Sequence, residues 1–216
     1  MATYASDMID DLRDRLNDTG DTQVPLPTKL RFLNRGQAAM YPRLFKVVRD
    51  STLVLIANQF EYTFPAGVGT GKVLTVEIES GSGTARFTPL QRYDVIPSLT
   101  VPTLVLLDAN LPSAVGAKIR ITTADRLTPY VSTTYVQMQT EAYTGPAGTE
   151  ELPILYAMGL STARALDDRM DYTRYSVTQQ AGAVDPNDIM QVSQFWFSQF
   201  ELLLDRLQLP FPTSRS

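Results

Sequence analysis

Carboxylates, arginines, lysines, serines and tyrosines are the side chains on which this chain could build chemistry, because its 216 residues include neither His nor Cys. The commonest general base and metal ligand is therefore missing, and so is the thiolate nucleophile. Without His a serine triad is excluded, and without Cys there is no disulfide or zinc–thiolate site. Asp10-Asp11 and Asp167-Asp168 with Asp171 are clusters of carboxylates. A paired-carboxylate hydrolase needs two such groups converging on one cleft. These spacings instead put them on solvated helix faces or ends. Gly67-Val68-Gly69-Thr70-Gly71-Lys72 resembles a phosphate loop superficially. The Walker spacing would place Gly where Ala66 stands and Ser or Thr where Val73 stands, and a strand follows where a helix is needed. Arg120 and Arg126 lie near a strand end, with Tyr130 and Tyr135 after them. Basic residues interleaved with aromatics can touch a nucleic-acid backbone, but at this density surface salt bridges and a subunit contact come first. No EF-hand spacing is present, and no metal or cofactor is expected.

The formal charge is −4, so the chain as a whole does not attract nucleic acid or an anionic membrane. The charge is uneven, however. Asp7, Asp10, Asp11, Asp14, Asp18 and Asp21 face only Arg13 and Arg15 in residues 1–21; Lys29, Arg31, Arg35, Arg43, Lys46 and Arg49 face only Asp50 in residues 22–50. An acidic helix followed by a basic one invites pairing, either within the subunit on a solvated face or between neighbours. No apolar run reaches the roughly 18–20 residues of a membrane helix, and Met1-Ala2-Thr3-Tyr4 is not expected to head a signal peptide.

The elements that would position these charges change period along the chain. Tyr4, Met8, Ile9, Leu12 and Leu16 predict a helix from about Thr3 to Asn17, stopped by Asn17-Asp18-Thr19-Gly20-Asp21. After Pro25 and Pro27, Thr28 can cap a second helix. Its stripe is Leu30, Leu33, Gln37, Met40, Tyr41 and Leu44, and Pro42 should kink it or end it near Tyr41. Ser51–Ile56 and Phe60–Phe64 read as a hairpin, Lys72–Glu79 as an alternating half-buried strand, and Pro89–Ser98 as room for a short helical turn. Thr103–Leu107 and Ala117–Thr122 are further strands. Residues 126–149 are polar and β-prone, a long hairpin or an exposed loop. Helix returns after Thr149, with Pro153 tolerable in the first turn and small residues Ala157, Gly159, Ser161 and Ala165 allowing close packing. Asp185-Pro186-Asn187-Asp188 starts a last helix whose apolar surface (Val192, Phe195, Trp196, Phe197, Phe200, Leu202, Leu203, Leu204) is wider than one stripe.

The fold class read from this is α+β: a helical bundle formed by the N- and C-terminal helices, with an inserted antiparallel module like a β sandwich or barrel. The expected parts are bundle helices over 1–50, the β-rich insert over 51–148, bundle helices over 149–208 and an extended arm over 209–216.

Leu33-Asn34, then Gln37 and Tyr41 on a helix, then Gln59-Phe60-Glu61-Tyr62 in a hairpin before Pro65, make an order that resembles the head-to-tail adaptor (connector) proteins of tailed bacteriophages. The short helix before this segment and the β insert and two closing helices after it are similar too. The resemblance implies a non-enzymatic virion component of the neck below the capsid portal vertex, made in the host cytoplasm. It implies a ring, commonly of twelve subunits, between the portal protein and the tail or stopper, with DNA passing through without sequence-specific binding. Another neck or tail component (a terminator, a stopper or a receptor-binding β module) is the alternative, and an enzyme using carboxylates alone is a third. A closing ring needs two different faces, and the candidate interface residues are Asp10 and Asp14 on the acidic segment and Arg31 and Arg35 on the basic one. Leu209 and Phe211 belong to an arm that would order on docking to a partner such as the portal.

Overall fold

Two short apolar stripes set the N-terminal architecture. The computed structural model describes residues 3–65, 72–80, 86–97, 101–107, 116–175 and 186–207, with the backbone alone at 165–175 and 186–189. Helix α1 spans Ala5–Leu16 and buries Ala5, Met8, Ile9 and Leu12. It ends at Asn17, which takes the left-handed conformation common at helix C-termini. Helix α2 spans Leu26–Met40. Pro27 stands in its first turn, where a missing N–H leaves no helical bond unmade, so Thr28 lies inside the helix instead of capping it. Leu30, Leu33, Gln37 and Met40 are buried along one face. Tyr41 is extended, as the residue before a proline prefers to be, and α2 stops there as the sequence predicts.

The described residues form two compact units: those up to Phe45 together with those from Leu127 to Leu207, and those within Lys46–Arg126. In the first unit, helices α4 (Glu151–Tyr175) and α5 (Pro186–Leu207) join α1 and α2. One apolar cluster is drawn from α1, α2 and α4 and includes Leu12, Leu33, Ala157 and Met158. A second joins Met40 and Leu44 to Leu152 and Leu155 of α4 and to Phe200 and Leu204 of α5. Each such fully buried side chain contributes about 1.5–3 kcal/mol. The small residues of α4 do let helices approach: the Ser193 hydroxyl donates to the Gly159 carbonyl at 2.9 Å. Asp185 lies outside the described residues.

Residues 127–149 belong to this unit and do not form a long hairpin; they are a largely irregular and partly exposed segment, as the loop reading expects, but one anchored in the core. Leu127, Tyr130 and Met138 are core residues, and a short helix α3 (Tyr135–Met138) is capped by Thr134. Asn34 of α2 grips the backbone of Tyr130 in both directions. Its Nδ2 donates to the Tyr130 carbonyl and its Oδ1 accepts the Tyr130 N–H, each at 2.8 Å. The N-terminal strand-like residues hold the same segment, with Ala5 N–H donating to the Glu141 carbonyl and Tyr143 N–H to the Thr3 carbonyl, both at 2.8 Å. The local sequence is β-prone, but these non-local hydrogen bonds decide its path.

The second unit begins as a strand at Lys46, earlier than the end of the helical reading, because Pro42 has already closed α2 and Val47-Val48 favour extended backbone. Its strands are β1 (Lys46–Val54), β2 (Glu61–Thr63), β3 (Lys72–Ser80), β4 (Arg86–Pro89), β5 (Tyr93–Ile96), β6 (Thr103–Leu106) and β7 (Lys118–Asp125). They form two antiparallel sheets, ordered β1-β7-β3-β4 and β2-β6-β5. Neither sheet closes into a barrel among the described residues. Val76, Ile78, Ile119 and Ile121 from the first and Tyr62, Leu104 and Leu106 from the second share one apolar cluster. The predicted hairpin of Ser51–Ile56 with Phe60–Phe64 does not form. β1 pairs with β7, whereas β2 pairs with β6. The Tyr62 hydroxyl explains the corner: it accepts the Ile56 N–H at 3.0 Å and donates to the Gln59 carbonyl at 3.1 Å. Tyr93–Ile96 is a strand and not a helical turn, because β6 supplies a partner along its whole length. The Gly67–Gly71 loop and the Gly81-Ser82-Gly83 turn lie outside the described residues.

Gly36 marks the closest approach of α2 to α4. A Cβ there would lie 2.8 Å from the Cα and 2.9 Å from the carbonyl oxygen of Pro153. The helix-propensity gain of Gly36→Ala is about 1 kcal/mol, while forcing two backbones apart costs about 1–3 kcal/mol. A net loss of stability is expected, read as a lower urea midpoint at unchanged slope. A raised midpoint would show that the helices part freely.

Candidate assembly interface

The turn between α1 and α2 is built around a buried ion pair. Asp18 and Lys29 have side chains with no solvent exposure, and the Lys29 ammonium lies 2.9 Å from Asp18 Oδ2. It also donates to the Asp18 carbonyl at 3.0 Å and to Asp21 Oδ1 at 2.8 Å. The Asp18 carboxylate in turn accepts the backbone N–H groups of Thr22, Gln23 and Val24 at 2.8, 3.1 and 2.9 Å, and the Thr22 hydroxyl at 3.1 Å. Burial alone would raise the Asp18 pKa. The Val24 N–H, the Lys29 ammonium and the Gln23 and Thr22 N–H groups together outweigh it and hold the carboxyl well below the usual range.

The network continues outward. Arg13 holds Asp21 by two bonds, Nε to Oδ1 at 3.0 Å and Nη2 to Oδ2 at 2.6 Å, and reaches Asp10 Oδ1 at 2.9 Å. The Asp21 pKa is lowered chiefly by Arg13. The Arg13 guanidinium lies 5.0 Å from the centre of the Tyr135 ring, and the Tyr135 hydroxyl donates to the other oxygen of Asp10. Asp10 is therefore committed within its own subunit. Arg15 is shared between Asp11 at 3.0 Å and Glu151 at 3.2 Å. After α2, Arg43 reaches Glu201 and Asp205 of α5 at 2.6 and 3.0 Å.

These internal pairs leave a remainder. Asp14 is exposed, and so is Asp7, whose carboxylate accepts, among the described residues, only the Tyr4 N–H at 2.8 Å. With Asp11 they fall at positions i, i+4 and i+7 on one stripe of α1. Arg31 and Arg35, at i and i+4 on α2, are both exposed. The Arg31 guanidinium is 5.9 Å from the Phe32 ring centre, and among the described residues neither arginine forms an ion pair. The fold thus does not join Arg31 and Arg35 to Asp10 and Asp14 within the chain. Leu209 and Phe211 lie outside the described residues. Sequence reasoning counted Lys29 in the basic face and did not single out Asp7. The periodicity carried the missing signal, since Lys29 falls beside Leu30 and Leu33 on the inward side of α2.

The other candidates resolve into structure. Arg120 pairs with Glu77 across β7 and β3 at 2.6 Å and lies 4.0 Å from the Phe87 ring centre. Tyr130 is buried. Among the described residues, no group of three or more acidic side chains could hold a metal, and no helix is long and apolar enough to cross a membrane. The side chains of Asp167, Asp168 and Asp171 lie outside the description.

The chain belongs to the SU10 adaptor protein family, whose model matches residues 3–213. The resemblance to head-to-tail adaptors read from its residues therefore holds. Among solved structures, a chain in the neck of an empty gene transfer agent particle, computed with C6 symmetry, is 18% identical over 87% of each chain, with a TM-score of 0.31. A chain in the virion of the native gene transfer agent particle is 17% identical over the same shares, also at 0.31. Comparison with curated proteins finds no match.

Two predictions follow from the buried pair. Asp18→Ala leaves three N–H groups unpaired and the Lys29 ammonium with only Asp21 and a backbone carbonyl, and should cost about 3–5 kcal/mol. Lys29→Met leaves the carboxylate with its backbone donors and should cost less, about 1–3 kcal/mol; urea denaturation at pH 7 that reverses this order would assign the carboxylate to Lys29 alone. The pKa values of Asp18 and Asp21 are depressed on folding, so their contribution is full above the unfolded value near pH 4 and fades as pH falls toward the folded values. Stability should be flat above about pH 5 and drop steeply below pH 4, with a shallower drop in Asp18→Asn.

Proposed function

We propose that this chain is a structural, non-enzymatic adaptor of a tailed-phage neck. It assembles as a ring, of about twelve copies in keeping with the family resemblance, between the portal and the tail or stopper. Membership of the SU10 adaptor family over residues 3–213 carries this reading. The α+β fold supports it with a helical unit and a unit of two antiparallel sheets, each able to meet a neighbour. Oppositely charged exposed stripes on α1 and α2 support it as well, because a closed ring needs two unlike faces. A net charge of −4 suits a channel wall. Basic contacts to phosphates would retain the passing DNA, and retention rises steeply with their number. The virion neck is the corresponding location, and Leu209 and Phe211 would lie in the arm that docks on the portal. A neck or tail component of another kind is the alternative, favoured by the exposed Ile56 and Phe60 of the β unit.

Electron microscopy and sedimentation of the purified protein, alone and with portal, test this. High-order rings are expected, and removal of residues 209–216 should weaken portal capture without changing the melting curve. A species that stays monomeric with portal present overturns the ring. A virion image placing the protein away from the portal supports the alternative.

A further inference from the structure

We infer that neighbouring copies meet through the acidic stripe of α1 on one subunit and the arginine pair of α2 on the next. This rests on the ring reading above and specifies the contact within it. Arg13, Arg15 and Lys29 on α1 and α2 each hold a carboxylate of their own chain. Arg31 and Arg35 do not, and they stand one turn apart, about 6 Å along the helix axis. On α1, Asp7 and Asp14 face solvent without a cationic partner among the described residues, about 10 Å apart. Asp11 lies between them on the same stripe. The two arginines can therefore fit between the ends of that stripe.

The occupant is a second copy because the two faces complement each other and neither complements itself. Pairing α1 with α1 would set Asp7 and Asp14 against the same carboxylates, and pairing α2 with α2 would set Arg31 and Arg35 against guanidinium groups. Like charges so opposed disfavour any two-fold contact that sets α1 on α1 or α2 on α2. A head-to-tail contact matches unlike charges at every interface, and such a contact closes into a ring when its rotation allows. The exposed Ala38 and Ala39 beside Arg35 give the approaching helix room. Charge here sets orientation and register, and it weakens as salt rises.

Charge exchange tests it in the full-length protein. Arg31→Glu with Arg35→Glu, and separately Asp7→Lys with Asp14→Lys, should each weaken self-assembly on the order of 100-fold at low salt, with urea midpoints showing the fold retained. Mixing the two variants should restore rings with alternating subunits. So should the single chain carrying all four changes, a rescue that mere misfolding cannot produce. Wild-type rings that both reversals leave unaffected, or rings lost in both variants and recovered neither by mixing nor by the fourfold variant, overturn this contact while the adaptor ring stands. A wild type that never assembles, even on portal, overturns both.

Discussion

The ammonium of Lys29 is buried, and the N-terminal half of the helical unit is organised around that constraint. A charge removed from water must be matched and hydrogen-bonded or it costs several kcal/mol. Here Asp18, Asp21 and a backbone carbonyl meet it. The same Asp18 collects three consecutive N–H groups, so the turn after α1 has one low-energy path. That path fixes where α2 starts and which of its faces turns inward. Leu30, Leu33 and Met40 then reach the core, and Gly36 comes against Pro153. The charge pair and the apolar packing are coupled, because moving α2 would open both.

The turn also decides which charges remain for other uses. Asp21 recruits Arg13, Arg13 recruits Asp10, and Tyr135 completes the chain from α3. Segment 127–149 is consequently held from three sides: by Asn34 at Tyr130, by the N-terminal residues at 141–143, and by Asp10 at Tyr135. None of these partners is close in sequence. Asn34 and Gln37, which carried the family resemblance, turn out to face inward or to grip backbone, so the segment most like the adaptors is a folding element of the helical unit.

Local periodicity made much of this legible. The stripes of α1 and α2, the stop before Pro42, the alternation of β3 and the start of α5 at Pro186 are all properties of neighbouring residues. Strand partners are not. Ser51–Ile56 and Phe60–Phe64 look like a hairpin because they are adjacent, yet the Tyr62 hydroxyl turns the chain and sends the two strands to different sheets. Tyr93–Ile96 became a strand only because β6 was available to pair with it. For the charged residues, composition revealed an acidic and a basic segment but not how they divide. Lys29 and Arg31 are two positions apart on one helix, and one is wholly buried while the other faces water. Only the helix phase relative to the core separates them.

That division has a physical consequence for the proposed ring subunit, which must fold alone and join others in one orientation. Screening at physiological ionic strength acts over about 8 Å in water and much less on buried pairs. Lys29 with Asp18 is shielded from it, so salt has little hold on the turn. Asp7, Asp14, Arg31 and Arg35 are open to it. Had the outer charges paired with the inner ones, one network would carry both tasks, and conditions that loosen a ring would loosen the fold. In the proposed contact, keeping the exposed set separate lets charge select the orientation of a neighbour, while the buried set, with the apolar clusters of α1, α2 and α4, holds the subunit in the shape that presents those faces.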